Sequence, residues 1–114
     1  MNDEFWEYLQ KLVEMSEIEI DRPSGSIHPR FPNSSYPVNY GYLKGTIAMD
    51  GGGVDIWVGS LSKRQVVGAL GTVDLRKRDT EFKILFDCTD EEIQSIVKFV
   101  NVYQMRAIYI KKEK

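Results

Sequence analysis

The sequence has 114 residues, of which 42% are hydrophobic and 28% are charged, a balance that indicates one globular domain spanning residues 1–114. A net charge of −2 argues against a general nucleic-acid-binding protein, and no apolar stretch is long enough to cross a membrane. Cys88 is the only cysteine, which excludes an internal disulfide and a cysteine zinc cluster. The single cysteine and an acidic start without the basic segment of a signal peptide predict a cytoplasmic protein.

The first third of the chain predicts a helix, a short strand and a long loop. Asn2 or Asp3 can cap the helix, and residues 18–21 alternate as a strand. Residues 22–37 contain four prolines and form an extended loop, which we expect to be functional because contacts elsewhere must order it. The helix is expected to bury a stripe of apolar residues at helical spacing, formed by Phe5, Leu9, Leu12 and Val13.

The second part of the chain predicts a series of strands and one helix. The basic link 76–78 joins two strands as a hairpin, which brings Asp74 near Asp79. Thr89 and Glu92 form a capping box for the helix. The predicted strands are 54–61, 66–75, 80–87 and 105–111, and the helix buries Ile93, Ile96, Val97 and Val100.

The alternation of side chains along these strands predicts which residues share a face. Asp55 and Trp57 lie on one face of their strand, and Lys83 lies on the same face as Glu81 and Leu85 in another. Short strands with glycine bends predict a mainly β (α+β) fold. We expect a small OB-like curved β-barrel with an N-terminal and a C-terminal helix packed outside.

Two pairs of aspartates with the same spacing of five are the strongest chemical signal. Asp50 and Asp55 bracket a glycine-rich turn, and Asp74 and Asp79 bracket the hairpin tip. If the two tips meet, four hard oxygen ligands converge, which suits Mg²⁺ or Mn²⁺. Magnesium usually keeps some waters and gives its remaining positions to a phosphate, so the pattern predicts metal-dependent phosphate chemistry.

A set of motifs spread over roughly residues 18–104 is specific in combination, although each motif is weak alone. The motifs are Glu19-Ile20-Asp21 with Ser24-Gly25, Arg30-Phe31, Tyr36-Pro37-Val38-Asn39-Tyr40-Gly41-Tyr42, Asp50-Gly51-Gly52-Gly53-Val54-Asp55, Val67-Gly68-Ala69-Leu70 with Asp74 and Asp79, and Phe99 with Tyr103. In this order they resemble the soluble inorganic pyrophosphatases of the magnesium-dependent family I. The chain is similar to a short, divergent member of that family.

The resemblance implies a role for each matching residue. Asp50, Asp55 and Asp79 would hold the main metal ion, with Mg²⁺ expected and Mn²⁺ as an alternative. A further ion would lie between Asp74 and Asp79, and Glu19 would serve an outer one. The residues that the resemblance places on phosphate oxygens are Arg30, Tyr40 and Tyr103, and those it places at the reacting centre are Asp55, Tyr40 and Arg30.

Four positions depart from the family pattern. Gly52 stands where the family has an aspartate that positions the attacking water, and a positioned general base is worth about 10²–10⁴-fold in rate. Glu17, Glu81 and Gln104 stand where the family has phosphate-facing lysines. Gly52 predicts a lower rate. The three lost lysines predict either a less highly charged ligand or replacement by other cations, namely Arg22, Lys44, Arg76, Arg78 or Arg106.

Three functions therefore follow as alternatives. The leading one is a Mg²⁺-dependent hydrolase of pyrophosphate or a related phosphate anhydride, with reduced activity. The second is a non-catalytic protein that binds a metal and a phosphate-bearing ligand, with a homo-oligomer open in either case. The third is a single-strand nucleic-acid binder with Tyr36, Tyr40, Tyr42 and Trp57 as stacking platforms, which the acidic composition disfavours.

Overall fold

A six-stranded β-sheet with two helices makes up the chain in the computed structural model, which describes residues 3–112. Asn2, a predicted helix cap, lies outside the described residues, and Asp3 is already the first residue of the first helix. The elements are α1 (Asp3–Glu14), β1 (Glu17–Arg22), β2 (Asn39–Lys44), β3 (Val54–Val58), β4 (Val66–Asp74), β5 (Asp79–Phe86), α2 (Asp90–Val100) and β6 (Met105–Lys111).

The strands lie in the spatial order β1-β2-β3-β5-β4-β6. β3 and β5 are parallel, and every other neighbouring pair is antiparallel. The β4–β5 hairpin places Asp74 directly opposite Asp79, as predicted. The prediction of a mainly β fold with one helix near each end is therefore confirmed.

β2 is the strand that the side-chain pattern did not predict. It contains Asn39 and Gly41, two residue types that are uncommon in strands, so its alternation is weak. Gly41 pairs with Ile20, and a Cβ atom at this position would overlap the carbonyl oxygen of Glu19. The close approach of β1 therefore requires glycine in the middle of β2.

The two helices pack on opposite faces of the sheet, because successive strand residues point to opposite sides. Ile56 and Ile84 face α1, whereas Trp57 and Leu85 face α2. In residues 3–112 neither helix is both long and apolar enough to cross a bilayer. The α1 core consists of Trp6, Leu9, Val13, Leu43, Ile56, Val66, Ala69, Ile84 and Phe86, and the α2 core of Tyr36, Val38, Trp57, Leu70, Leu85, Cys88, Ile93, Ile96 and Val100.

Two sequence-based expectations need correction. Phe5 was predicted to be buried but is 46% exposed. Trp6 is buried instead, because the apolar stripe of α1 is rotated by one residue. Phe5 instead packs edge-on against Trp6 and Phe82. β3 ends at Val58 and not at residue 61, since the backbone then turns and the Gly59 amide donates to the Phe86 carbonyl.

The predicted capping box at the start of α2 is present. The Thr89 hydroxyl accepts from the Glu92 amide at 3.1 Å, and Glu92 Oε1 accepts from the Thr89 amide at 2.9 Å. The Glu92 carboxylate also accepts from the Ser60 amide, which ties α2 to the end of β3. Burial raises the pKa of Glu92, but the hydrogen bonds from Thr89 and Ser60 outweigh it, so the pKa lies below the ordinary value.

Thr89→Ala removes the side-chain acceptor of this cap, and we expect it to lower the free energy of unfolding by about 0.5–2 kcal/mol. Urea denaturation followed by circular dichroism measures the change. Ser95→Ala, on the exposed face of the same helix, is the matched control and should change stability by less than about 0.5 kcal/mol. An equal effect of the two substitutions would contradict a stabilising role of the cap.

Candidate active site

The parallel pairing of β3 and β5 creates the centre of the candidate site. It sets Asp55 beside Lys83, and the antiparallel pairing of β2 and β3 sets Tyr42 on the other side of Asp55. Tyr40 pairs with Trp57 in the same way. All five side chains lie on the α2 face of the sheet, so polar groups continue directly from the α2 core.

The Lys83 ammonium is buried among three oxygen acceptors. It donates to Tyr40 Oη at 2.7 Å, to Asp55 Oδ2 at 2.8 Å and to Glu81 Oε1 at 2.7 Å. The side chain is only 9% exposed. Because an ammonium has three N–H donors, each of them is used.

Burial shifts the pKa values of the groups in this network. It disfavours the charged form of Lys83, but Tyr40, Asp55 and Glu81 outweigh it and hold the pKa of the ammonium above its ordinary value. Burial raises the pKa of the Tyr40 phenol, although Lys83 opposes this shift. At neutral pH the site therefore contains a charged lysine and a protonated tyrosine.

An open cleft of about 1010 Å³ lies on one side of this network; we call it the acidic cleft. Asp50, Asp55 and Asp79 line it together with Glu81. Three of the five predicted metal ligands therefore share one cleft. Their hard carboxylate oxygens fit Mg²⁺ or Mn²⁺ in chemical type.

The carboxylates of these aspartates are engaged in contacts within the chain. Asp55 accepts from Lys83, Asp50 Oδ1 accepts from the Gly52 amide at 2.9 Å, and Asp79 lies 3.9 Å from the Lys77 ammonium. Within residues 3–112 no group of three or more acidic, histidine or cysteine side chains is arranged to hold a metal ion. The convergence of four aspartates on one ion stays a prediction.

The other two predicted metal ligands lie elsewhere. Asp74 is buried, and its Oδ1 accepts from the amides of Arg76 and Lys77, which shapes the hairpin turn. Glu19 is paired with Lys44 at 3.5 Å and lines neither cleft. Glu19 is nevertheless opposite Tyr42, which is opposite Asp55, so it occupies the same row on the same face of the sheet.

A second cleft of about 270 Å³ brings together the three residues predicted to contact phosphate, namely Arg30, Tyr40 and Tyr103. We call it the aromatic cleft. Its positive charge is supplied by Arg30, Arg76, Lys77 and Lys83, and its aromatic lining comprises His28, Phe31, Tyr36, Tyr40, Trp57, Phe99 and Tyr103. Asp55 lines the acidic cleft and Lys83 the aromatic cleft, so the two clefts meet at this ion pair.

The long proline-containing loop is organised around His28. Its Nδ1 accepts from the amides of Arg30 and Phe31 at 3.0 and 3.3 Å. Burial together with the charges of Arg30 and Arg22 lowers the pKa of His28, which keeps it neutral and able to accept. The Phe31 ring stacks on Tyr103 with centroids 4.5 Å apart. The loop thereby positions Arg30 beside the aromatic cleft.

Tyr103 adopts a positive φ of 54° although it is not glycine, and it is 69% exposed. By contrast, Tyr36 and Trp57 are buried, with Trp57 only 1% exposed. These two rings cannot serve as stacking platforms for single-stranded nucleic acid, and the third sequence-based alternative loses its main support.

Lys83 is the site residue that the sequence reasoning left without a role. The alternation placed it on the same face of its strand as Glu81 and Leu85, and its immediate neighbours in that strand are apolar. A lysine at an inward position of a buried strand needs an acidic partner, which was the available signal. The identity of that partner required the β3–β5 pairing, which was not predicted.

Tyr40→Phe removes one of the three acceptors of the Lys83 ammonium, and we expect it to lower the free energy of unfolding by about 1.5–3 kcal/mol. Urea denaturation measures the change. Tyr42→Phe, in the same strand and on the same face, is the matched control and should cost less than about 0.5 kcal/mol. If both variants unfold at the urea concentration of the native chain, the Tyr40–Lys83 hydrogen bond does not stabilise the fold.

Comparisons with known proteins agree with this architecture. The model of the family described as "Inorganic pyrophosphatase" matches residues 11–112. The inorganic pyrophosphatase of Mycoplasma genitalium is 32% identical over 81 residues, which are 61% of this chain and 44% of that protein. For the Mycoplasma pneumoniae enzyme the identity is 32% over 91 residues, or 71% of this chain and 46% of that protein. The chain thus spans less than half of the length of these relatives.

Solved structures show the same fold. An inorganic pyrophosphatase from Coxiella burnetii has a TM-score of 0.64 at 15% identity, covering 83% of this chain and 84% of that chain. The enzyme from Helicobacter pylori has a TM-score of 0.60 at 20% identity, covering 85% and 77%. These neighbours confirm the predicted OB-like fold class. Because the family model matches nearly the whole sequence, the chain belongs to the inorganic pyrophosphatase family.

Proposed function

We propose that the protein hydrolyses inorganic pyrophosphate with the help of a divalent ion, Mg²⁺ or alternatively Mn²⁺. The observation that carries this proposal is the junction of the two clefts: the carboxylates of Asp50, Asp55, Asp79 and Glu81 line one, and the other is lined by Arg30, Tyr40 and Tyr103. The names of the relatives support the same substrate. The site would belong to a single domain that spans residues 1–114.

The protein groups have separate roles in this proposal. Asp50, Asp55 and Asp79 would hold the main ion, Asp74 with Asp79 a further one, and Glu19 an outer one. When bound, the metal acts as a Lewis acid and lowers the pKa of the water molecule that it binds. The remaining roles belong to the aromatic cleft.

Phosphate binding falls to the aromatic cleft. The Arg30 guanidinium offers a fork of donors that matches two phosphate oxygens. Tyr40 stays protonated because its pKa is raised, so its hydroxyl remains a donor at neutral pH. Tyr103 is exposed at the rim and can donate to the same anion.

Asp55→Asn keeps the shape of the side chain and removes its charge, so we expect phosphate release from pyrophosphate to fall by at least about tenfold. The assay measures phosphate in the presence of Mg²⁺ and, separately, Mn²⁺. Asp21→Asn is the matched control, because Asp21 is exposed and lines neither cleft. Equal and negligible phosphate release by the native chain and Asp55→Asn would contradict the proposal that the protein hydrolyses pyrophosphate.

Gly52 is the position where a water-orienting carboxylate is missing, and the structure leaves room for one. A Cβ atom there would meet only Asp50 Oδ1 at 3.5 Å. Glycine is instead needed at its two neighbours: Gly51 has a φ of +88°, and a Cβ atom at Gly53 would lie 2.7 Å from Tyr42 Cδ2. A side chain at position 52 is therefore compatible with the loop.

Gly52→Asp is expected to raise the rate of phosphate release by about 10²–10⁴-fold, the usual value of a positioned general base. Gly52→Asn has nearly the same size without the charge and serves as the control. An equal rate in both variants would contradict the role of the carboxylate. Activity that appears only in Gly52→Asp would identify the native chain as a binder.

A non-catalytic, metal- and phosphate-binding role is the second candidate. Gly52 favours it, because the glycine-rich turn has no carboxylate where the resemblance places the water-positioning aspartate. Glu81 adds to this, since it stands where the resemblance places a lysine and its carboxylate binds Lys83. A cytoplasmic location and a homo-oligomer remain sequence-based predictions under either function. Burial raises the pKa of the Cys88 thiol to about 12, so this cysteine is not a reactive nucleophile.

A further inference from the structure

Among the proposed metal ligands in the described residues, Asp55 has the shortest contact with a cation of the chain itself. Lys83 Nζ lies 2.8 Å from Asp55 Oδ2 and 2.7 Å from Glu81 Oε1. The two carboxylates approach the ammonium from β3 and β5, and Tyr40 on β2 completes its surroundings. Three strands therefore contribute to one enclosed cation position.

Lys83 acts here as a counter-ion and not as a phosphate ligand. Its three N–H donors are all used within the chain, so none remains for an incoming anion. The neighbouring Lys77 ammonium is more exposed and lies 3.9 Å from both Asp79 and Glu81.

A divalent ion bound to Asp55 would lie very close to this ammonium. Magnesium–oxygen bonds are about 2.0–2.1 Å long, so an ion on either oxygen of Asp55 would be within a few ångströms of Lys83 Nζ. Repulsion between two cations at that distance is strong in a partly buried site, where water screens charge weakly. The same carboxylate cannot serve both cations well.

We infer that the Lys83 ammonium is a built-in cation that occupies the Asp55–Glu81 carboxylate pair, so that Lys83 and a divalent metal ion exclude each other there. This inference rests on the proposed metal role of Asp55. In addition, it assigns Lys83 a role: this residue determines the affinity of the acidic cleft for a metal ion. Since the exclusion is reciprocal, a metal that enters must displace Lys83 toward the aromatic cleft, which this residue also lines.

Mn²⁺ binding to the full chain without substrate tests this inference. The measurement is the electron paramagnetic resonance signal of free Mn²⁺, with calorimetry as a second readout. Lys83→Met keeps the length of the side chain and removes its charge, and it should bind Mn²⁺ at least about tenfold more tightly than the native chain. Lys83→Arg is the matched control, because it keeps a cation at the pair, and its affinity should stay near the native value.

Equal Mn²⁺ affinity of the native chain and Lys83→Met, including no binding by either, would overturn the inference. Lys83→Met leaves two carboxylates without their cation, so Mn²⁺ should also raise its unfolding temperature more than that of the native chain. If this variant does not fold, Lys83→Gln, which removes the charge but keeps N–H donors for the surrounding oxygens, decides the question. It should also bind Mn²⁺ at least about tenfold more tightly than the native chain, and an affinity equal to the native value would overturn the inference.

These outcomes are separate from those of the proposed function. Failure of the proposed function appears as negligible phosphate release, whatever the Mn²⁺ affinity. Failure of the inference appears in metal binding without substrate, whatever the rate of hydrolysis.

Discussion

The parallel pairing of β3 and β5 is the constraint on which the site depends. It sets Asp55 beside Lys83 and, two residues along each strand, Trp57 beside Leu85. The first pair is polar and forms the junction of the clefts, whereas the second is apolar and belongs to the α2 core. A buried ion pair is stable only with good geometry and further hydrogen bonds, and here Tyr40 and Glu81 supply them. The chemistry of the site is therefore an extension of the core.

Much of this architecture could be predicted from the residues alone. The period-two pattern in β3 and β5 correctly separated Ile56 and Ile84 from Trp57 and Leu85, because both faces of the sheet are covered and each carries its own apolar set. The capping box at Thr89 was equally clear, since it depends on two residues three apart. Local rules worked where one strand or one helix turn contains all the information.

The missed features depend on contacts between distant segments. β2 has a weak pattern of its own, and its glycine is explained only by the approach of β1. The role of Lys83 needed the neighbour of β5, which a sequence does not specify when the connection crosses another strand. The predicted grouping of acidic residues also depends on distant contacts. Asp50, Asp55 and Asp79 share a cleft, but their carboxylates contact other groups of the chain itself. The spacing of the aspartates predicted which of them lie near one another, but their contacts with other residues determine the positions of the carboxylates.

The division of β3 between two unlike faces has a consequence for folding accuracy. Val54, Ile56 and Val58 belong to the α1 side, and Asp55 alternates with them on the other side. A slip of one residue in pairing would carry the carboxylate into a wholly apolar layer without its lysine, and would turn isoleucine toward charged groups. A misaligned β3 would therefore be destabilised on both faces of the sheet. The polar centre formed by Asp55 and Lys83 thus also favours the correct strand alignment during folding.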